Sequence, residues 1–189
     1  MRDSVRISKR SEGDVWKGLA AGLIGGLVAS WTMNRFQDVW IKLAGAPSSG
    51  QAEGQEKSGQ GEQQAQDNGG EQEDATVKTA SAISEGIFDH KLTKSEKEWA
   101  GPTVHYAFGT SVGGLYGAVA ELAPEVTAGA GLPFGAAFWL VADETALPLL
   151  GLSKGPTEYP LSVHAYALAS HFVYGLTAEL ARRALRNAL

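Results

Sequence analysis

Seven titratable side chains lie within or at the ends of apolar stretches: His105, Glu121, Asp143, Glu144, His164, His171 and Glu179. Histidine is the side chain that titrates nearest neutral pH, and a carboxylate beside it biases its charge. At ~100° per residue, His164, His171, Gly175 and Glu179 share an arc of about 80° on one helix. Glu121 ends a second apolar stretch and Asp143-Glu144 end a third, so the set could line up through a helical bundle. Three chemistries compete for these residues. In a proton-responsive network, acid charges His164 and His171 next to Glu179. As structural glue, the histidines join Tyr106, Tyr116, Tyr166, Tyr174, Thr110 and Ser170 in hydrogen bonds between helices. A metal site has the weakest support. His164 and His171 are about 10 Å apart along a helix axis, and the i,i+3 or i,i+4 spacing of helical ligand pairs is missing. The expectation is therefore no metal and no cofactor. Ser111 and Ser170 have a histidine near in sequence but no acid placed for a triad, and no nucleophile elbow, phosphate-cradling loop or dinucleotide fingerprint occurs. No enzymatic activity is expected.

The elements that must position this set are long apolar segments. Residues 159–178, between Glu158 and Glu179, contain no Asp, Glu, Lys or Arg. As a helix they extend about 30 Å, the thickness of a bilayer's hydrocarbon core. Comparable stretches occupy 18–34, 99–121 and 126–142, and the last runs 160–181. The expected fold is all-α, a multi-pass membrane protein with four transmembrane helices and an amphipathic helix. That extra helix is read at 75–88 from the spacing of Val77, Ala80, Ile83, Ile87 and Phe88. Thr93 with Glu96 fits a capping box that starts the helix leading into the second span, where Pro102 removes one backbone donor. Residues 145–153 are apolar but too short to cross, which suits a re-entrant or interfacial cap. A soluble bundle of buried helices would also accommodate spans of this length. Four recurrences with consistent flanks favour the membrane.

Glycine is unusually frequent, at 24 of 189 residues. Gly18, Gly22 and Gly26 fall on one helix face, and Gly109, Gly113 and Gly117 on another. A face without side chains lets a second backbone approach closely, the small-xxx-small packing of membrane helices. These faces suit neighbouring helices, a homo-oligomer or a membrane-protein partner, and the lipid bilayer is the remaining expected partner.

Charge divides the chain into segments. Residues 1–17 form a basic terminus with five Lys/Arg, and 18–47 hold the first span and its interfacial end. Residues 48–75 carry seven acids, seven Gln, six Gly and one Lys, with no aromatic or branched aliphatic residue. Such a tract cannot bury enough apolar surface to offset its ordering entropy, so it reads as a disordered linker. Residues 76–189 hold the amphipathic helix and the remaining three spans. The net charge of −5 resides in the linker, and no basic surface suited to nucleic acid remains. Ala44-Gly45-Ala46 resembles a small-residue cleavage site, but Arg35 to Lys42 separate it from the apolar run, so an uncleaved anchor is favoured. With basic residues at both ends of the chain, the positive-inside rule places both termini in the cytoplasm. The absence of cysteine excludes disulfides and thiolate chemistry.

Three segments, VHYAFGTSVGGLYG (104–117), GLPFGAAFWLVADETALPLLGL (131–152) and PTEYPLSVHAYALASHFVYGL (156–176), resemble the YagU-like bacterial inner-membrane proteins. The likeness covers about residues 15–45 and 76–185, and its most specific pieces are the His105–Gly109 step and the His164/His171 helix. It implies an inner-membrane protein with a part in tolerating acid stress and no catalytic residues. A His-Glu pair can stand in that family where this chain has Asp143-Glu144, a departure that bears on any proton relay through position 143. The functional expectation is a small inner-membrane protein contributing to acid-stress tolerance through a buried His/Glu network. The alternative is a helix-packing scaffold within a membrane complex, with a small transporter as the weakest reading.

Overall fold

A computed structural model describes the backbone of residues 2–44 and 75–188. The acidic tract through residue 74 and the side chains of the first 13 residues lie outside this description. The described residues are all-α, with no strand. The helices are α1 (Arg2–Ala44), α2 (Ala75–Phe88), α3 (Lys94–Leu122), α4 (Leu132–Val141), α5 (Leu147–Leu149) and α6 (Leu161–Ala188). A 3-10 segment, Pro124–Gly131, joins α3 to α4, and a π-helical turn, Ala142–Ala146, joins α4 to α5.

The four long elements alternate in direction. Gly18 of α1 lies against Gly117 of α3 and Gly26 against Gly109, so these two helices are antiparallel. Gly25 faces Ala178 and Asp14 meets Arg186, which makes α6 antiparallel to α1 as well. Gly135 of α4 abuts the His171 carbonyl of α6, completing an up-down-up-down bundle. At 43 residues, α1 is about 65 Å long and extends well past a ~30 Å apolar layer.

Glycine determines how close the helices come. A Cβ added to Gly113 would sit 2.5 Å from the Gly26 Cα and 2.7 Å from the Gly22 carbonyl oxygen. One added to Gly26 would sit 2.6 Å from the Gly109 carbonyl oxygen. Both obstacles are backbone, which cannot swing away as a side chain can. The two predicted glycine faces are therefore turned onto each other within one chain. Neither is left open to a second molecule, so a partner would have to use another surface. A second close crossing, Gly131 and Gly135 against Gly175, joins α4 to α6. Gly131 is doubly constrained, because its φ is +85° and its missing side chain would strike the Gly175 backbone.

Two local expectations meet different geometry. The third apolar stretch is not one helix from 126 to 142. Gly129, Ala130 and Gly131 have φ values of 69°, 54° and 85°, which break the helix before α4 begins. Nor does it stop at Asp143-Glu144: the π turn carries the chain through both acids into α5, and Thr145 donates to the Leu140 carbonyl at 2.8 Å, five residues back. Among the described residues, Pro124–Leu149 is the one helical stretch long and apolar enough to cross a membrane by length and composition. The other three apolar stretches, at 18–34, 99–121 and 160–181, do not pass that measure.

The N-terminal capping box of α3 is present. The Thr93 N–H donates to Glu96 Oε2 at 2.7 Å, and the Glu96 N–H donates to Thr93 Oγ1 at 3.4 Å. The Thr93 backbone N–H, then the Thr93 hydroxyl, then His90 pull the Glu96 carboxyl down to about 2. A lowered carboxylate stabilises the fold above its unfolded value, and that contribution is lost as pH falls through the folded value. Amide protection in residues 94–97 is expected at neutral pH and should decay between about pH 4.5 and pH 2. Glu96→Ala should remove this acid transition, as hydrogen exchange followed across that range would register.

Candidate functional site

The interior of the bundle mixes small apolar and tyrosine side chains with polar ones. Ser30, Asn34, Ser170, His171, Glu179 and Arg182 are buried, while Trp16, Leu43, Leu149 and Leu161 are exposed by 71%, 83%, 81% and 82%. The structure divides the seven predicted titratable residues into two clusters, with a layer of aromatic rings between them.

The first cluster is built by the π turn. Adding a residue to one helical turn rotates the side chains that follow, and such turns often occur at functional sites. Here it aims two successive acids at two histidines on one face of α6. Glu144 Oε1 lies 2.7 Å from His164 Nδ1, and the other ring nitrogen, Nε2, bonds the Pro156 carbonyl at 2.9 Å. Asp143 Oδ2 lies 3.7 Å from His171 Nδ1, which also bonds the Ala167 carbonyl at 2.9 Å. The 2.9 Å bond makes Nδ1–H the donor to a helix carbonyl, so His171 is oriented by its own helix first. His105 reaches the same region from α3. The Ser30 backbone approaches its ring, and its Nε2 is buried with no hydrogen-bond partner among the described residues.

Aromatic rings separate this cluster from the next. Phe134 stacks on Tyr116 at 4.0 Å, and Phe138 packs edge-on against both His171 and Tyr174 at 5.1 Å. The Tyr174 hydroxyl donates to the Gly109 carbonyl at 2.5 Å, tying α6 to the close crossing of α1 and α3.

The second cluster lies at the bundle end where α1 begins and α3 and α6 finish. Glu179 is fully buried. It accepts from Arg182 Nε at 2.8 Å, Arg182 Nη2 at 3.0 Å, the Tyr116 hydroxyl at 2.9 Å, and Arg183 Nε. Arg186 Nε donates to Glu121 at 2.9 Å and its Nη2 donates to Asp14 at 2.8 Å. Arg183 also donates to the Thr127 carbonyl at 3.2 Å. Three arginines thus face three acids drawn from α1, α3 and α6, with the buried Glu179–Arg182 pair at the centre. Glu179 is placed with arginines rather than with His164 and His171, so the expected single line of titratable groups is two separate sites.

Sequence reasoning named the histidines and acids but passed over Arg182, Arg183, Arg186, Asp14 and Ser30. One signal was available: Arg182 and Arg183 stand three and four residues after Glu179, the spacing at which helix side chains meet. The positions of Asp14 and Ser30 depend on long-range packing and carried no such mark. No three His, Asp or Glu side chains among the described residues converge closely enough to hold a metal ion.

No curated protein and no solved structure matches this chain. Residues 81–180, which carry all seven titratable positions and the Gly109 face, match a family described as "Protein of unknown function (DUF1440)". The match spans more than half of the chain, and the chain belongs to that family.

Proposed function

We propose that this chain is a four-span inner-membrane protein whose His164–Glu144 and His171–Asp143 pairs respond to protons and contribute to acid tolerance. The observation that carries the membrane part is the sorting of side chains. Gly, Ala, Tyr, Ser, Asn and His fill the interior and an ionic cluster closes one end, while Trp, Leu, Ile and Val stud the outside along α1, α3, α4 and α6. Water would expose that apolar belt at large cost, whereas lipid solvates it. Orientation follows from the ends. The basic tail of α6 and the start of α1 share one end of the bundle, joined by Arg186 and Asp14, which fits cytoplasmic termini under the positive-inside rule.

The proton-responsive part rests on two histidine–carboxylate pairs fixed by one π turn, since such a pair changes net charge near neutral pH. The acid-tolerance part rests on the resemblance to YagU-like proteins. The test is survival at low pH of cells that depend on this chain. His164→Ala and His171→Ala are each expected to remove the protection with the amount of protein in the membrane unchanged. Survival equal to that with the parent chain would rule the reading out.

A further inference from the structure

Among the described residues, the bundle is closed along α1–α3, α1–α6 and α4–α6, whereas α3 and α4 share no such run of close contact. These two helices meet through rings, Tyr116 on Phe134 and Phe108 on Phe138 at 5.6 Å. Beyond Phe108, on the side of α2, the seam between them widens into a cavity of about 540 Å³. That volume falls within the range of sites for small organic groups. Ile83 of α2, Val104 and Phe108 of α3, Phe138 of α4, Leu147 of α5 and Leu150 wall it. Ile83, Phe108 and Leu150 are also exposed, so they form its rim, and the cavity opens on the apolar outside of the bundle.

The wall offers a ligand no free charge and little polar surface. Its lining holds one carboxylate and two imidazoles, Asp143, His171 and His105, and no Lys or Arg. Asp143 and His171 are paired with each other at 3.7 Å. The His105 Nε2 atom and the Ser30 hydroxyl are enclosed by protein and present no surface to the cavity. An ion entering this space would give up its hydration without finding a countercharge. Water would find few hydrogen-bonding partners, and an empty space would forfeit the dispersion contacts of its apolar wall. A hydrocarbon chain meets all three conditions, and it can enter sideways across the exposed rim. We propose that the open seam between α3 and α4 holds one acyl chain of a bilayer phospholipid, with the headgroup left outside. The proposal rests on the bundle lying in a membrane but not on the acid-tolerance reading.

The test is photolabelling of the full chain in phosphatidylcholine nanodiscs that contain a phosphatidylcholine with a diazirine at the end of one acyl chain. Adducts are mapped by peptide mass spectrometry. Met33 and Ala142 line the cavity but are buried from the outside, so a chain labels them from within it. Leu115, exposed and outside the cavity, reports ordinary contact with surrounding lipid. Adducts at Met33, Ala142 and Leu115 are expected, and a lipid with the diazirine on its headgroup should label neither Met33 nor Ala142. Ala107→Trp, at an exposed lining position, should remove most of the Met33 and Ala142 adducts by filling the space and leave Leu115 labelled; Ala146→Phe fills it from the π turn and decides the matter if the first variant does not fold. Labelling of Leu115 without Met33 and Ala142 would overturn the proposal alone, as would equal labelling by the headgroup probe or unchanged adducts in whichever variant folds. Absence of labelling at Leu115 as well would overturn the membrane reading with it.

Discussion

Gly113→Leu is expected to unfold the bundle at the temperature where the parent chain is intact. The added side chain would meet the Gly26 Cα and the Gly22 carbonyl, both backbone of a helix that is itself packed on α6. Relief requires α1 and α3 to move apart, which also breaks the Gly18–Gly117 and Gly26–Gly109 approaches. Overpacking costs typically 1–3 kcal/mol and more where the surroundings cannot yield, so about 3 kcal/mol is a lower figure here. For a chain of this size that corresponds to a melting point lowered by roughly 10 °C. Gly86→Leu serves as the control, because nothing lies within 4 Å of a Cβ at that position. Thermal unfolding of the two variants side by side separates a packing effect from a general cost of replacing glycine.

Glu179→Ala should be nearly as damaging for an electrostatic reason. The carboxylate is wholly buried and answers Arg182, Arg183 and Tyr116. Among the described residues, removing it leaves the buried Arg182 with the more distant Glu121, at 3.7 Å. Breaking a buried ion pair from one side costs about 3–5 kcal/mol, because the surviving charge stays desolvated. Glu85→Ala, at an exposed position of α2, should lie within about 0.5 kcal/mol of the parent. A Glu179→Ala chain as stable as the parent would mean that water or lipid headgroups reach Arg182.

Local chemistry was the most legible part of the sequence. The Thr93/Glu96 box and the helix at 75–88 each depend on residues a few positions apart, and the structure holds both, with Ile83, Ile87 and Phe88 of that helix exposed. The glycine periodicity was equally visible, but its partner was not. Spacing gives a face, and only the antiparallel pairing of α1 with α3 reveals that one face fills the other. The π turn had no local mark, since Ala-Asp-Glu-Thr-Ala suits an ordinary helix. It sets Asp143 and Glu144 against two histidines on α6. Averaging hydropathy along a segment likewise conceals which face is apolar. That is why α1, α3 and α6, lined inside with Gly, Ser, Asn and His, read weakly one by one while the bundle carries an apolar exterior. Glu179 shows the opposite error: sharing a helix face with His171 placed it, on sequence alone, in the wrong cluster.

The most direct measurement is alkaline carbonate extraction of membranes from cells making the full chain. An apolar belt of Trp, Leu, Ile and Val around an interior of small and polar side chains predicts that the chain stays entirely in the membrane pellet. Release into the supernatant would contradict it, because those exposed side chains would then have to face water or another protein.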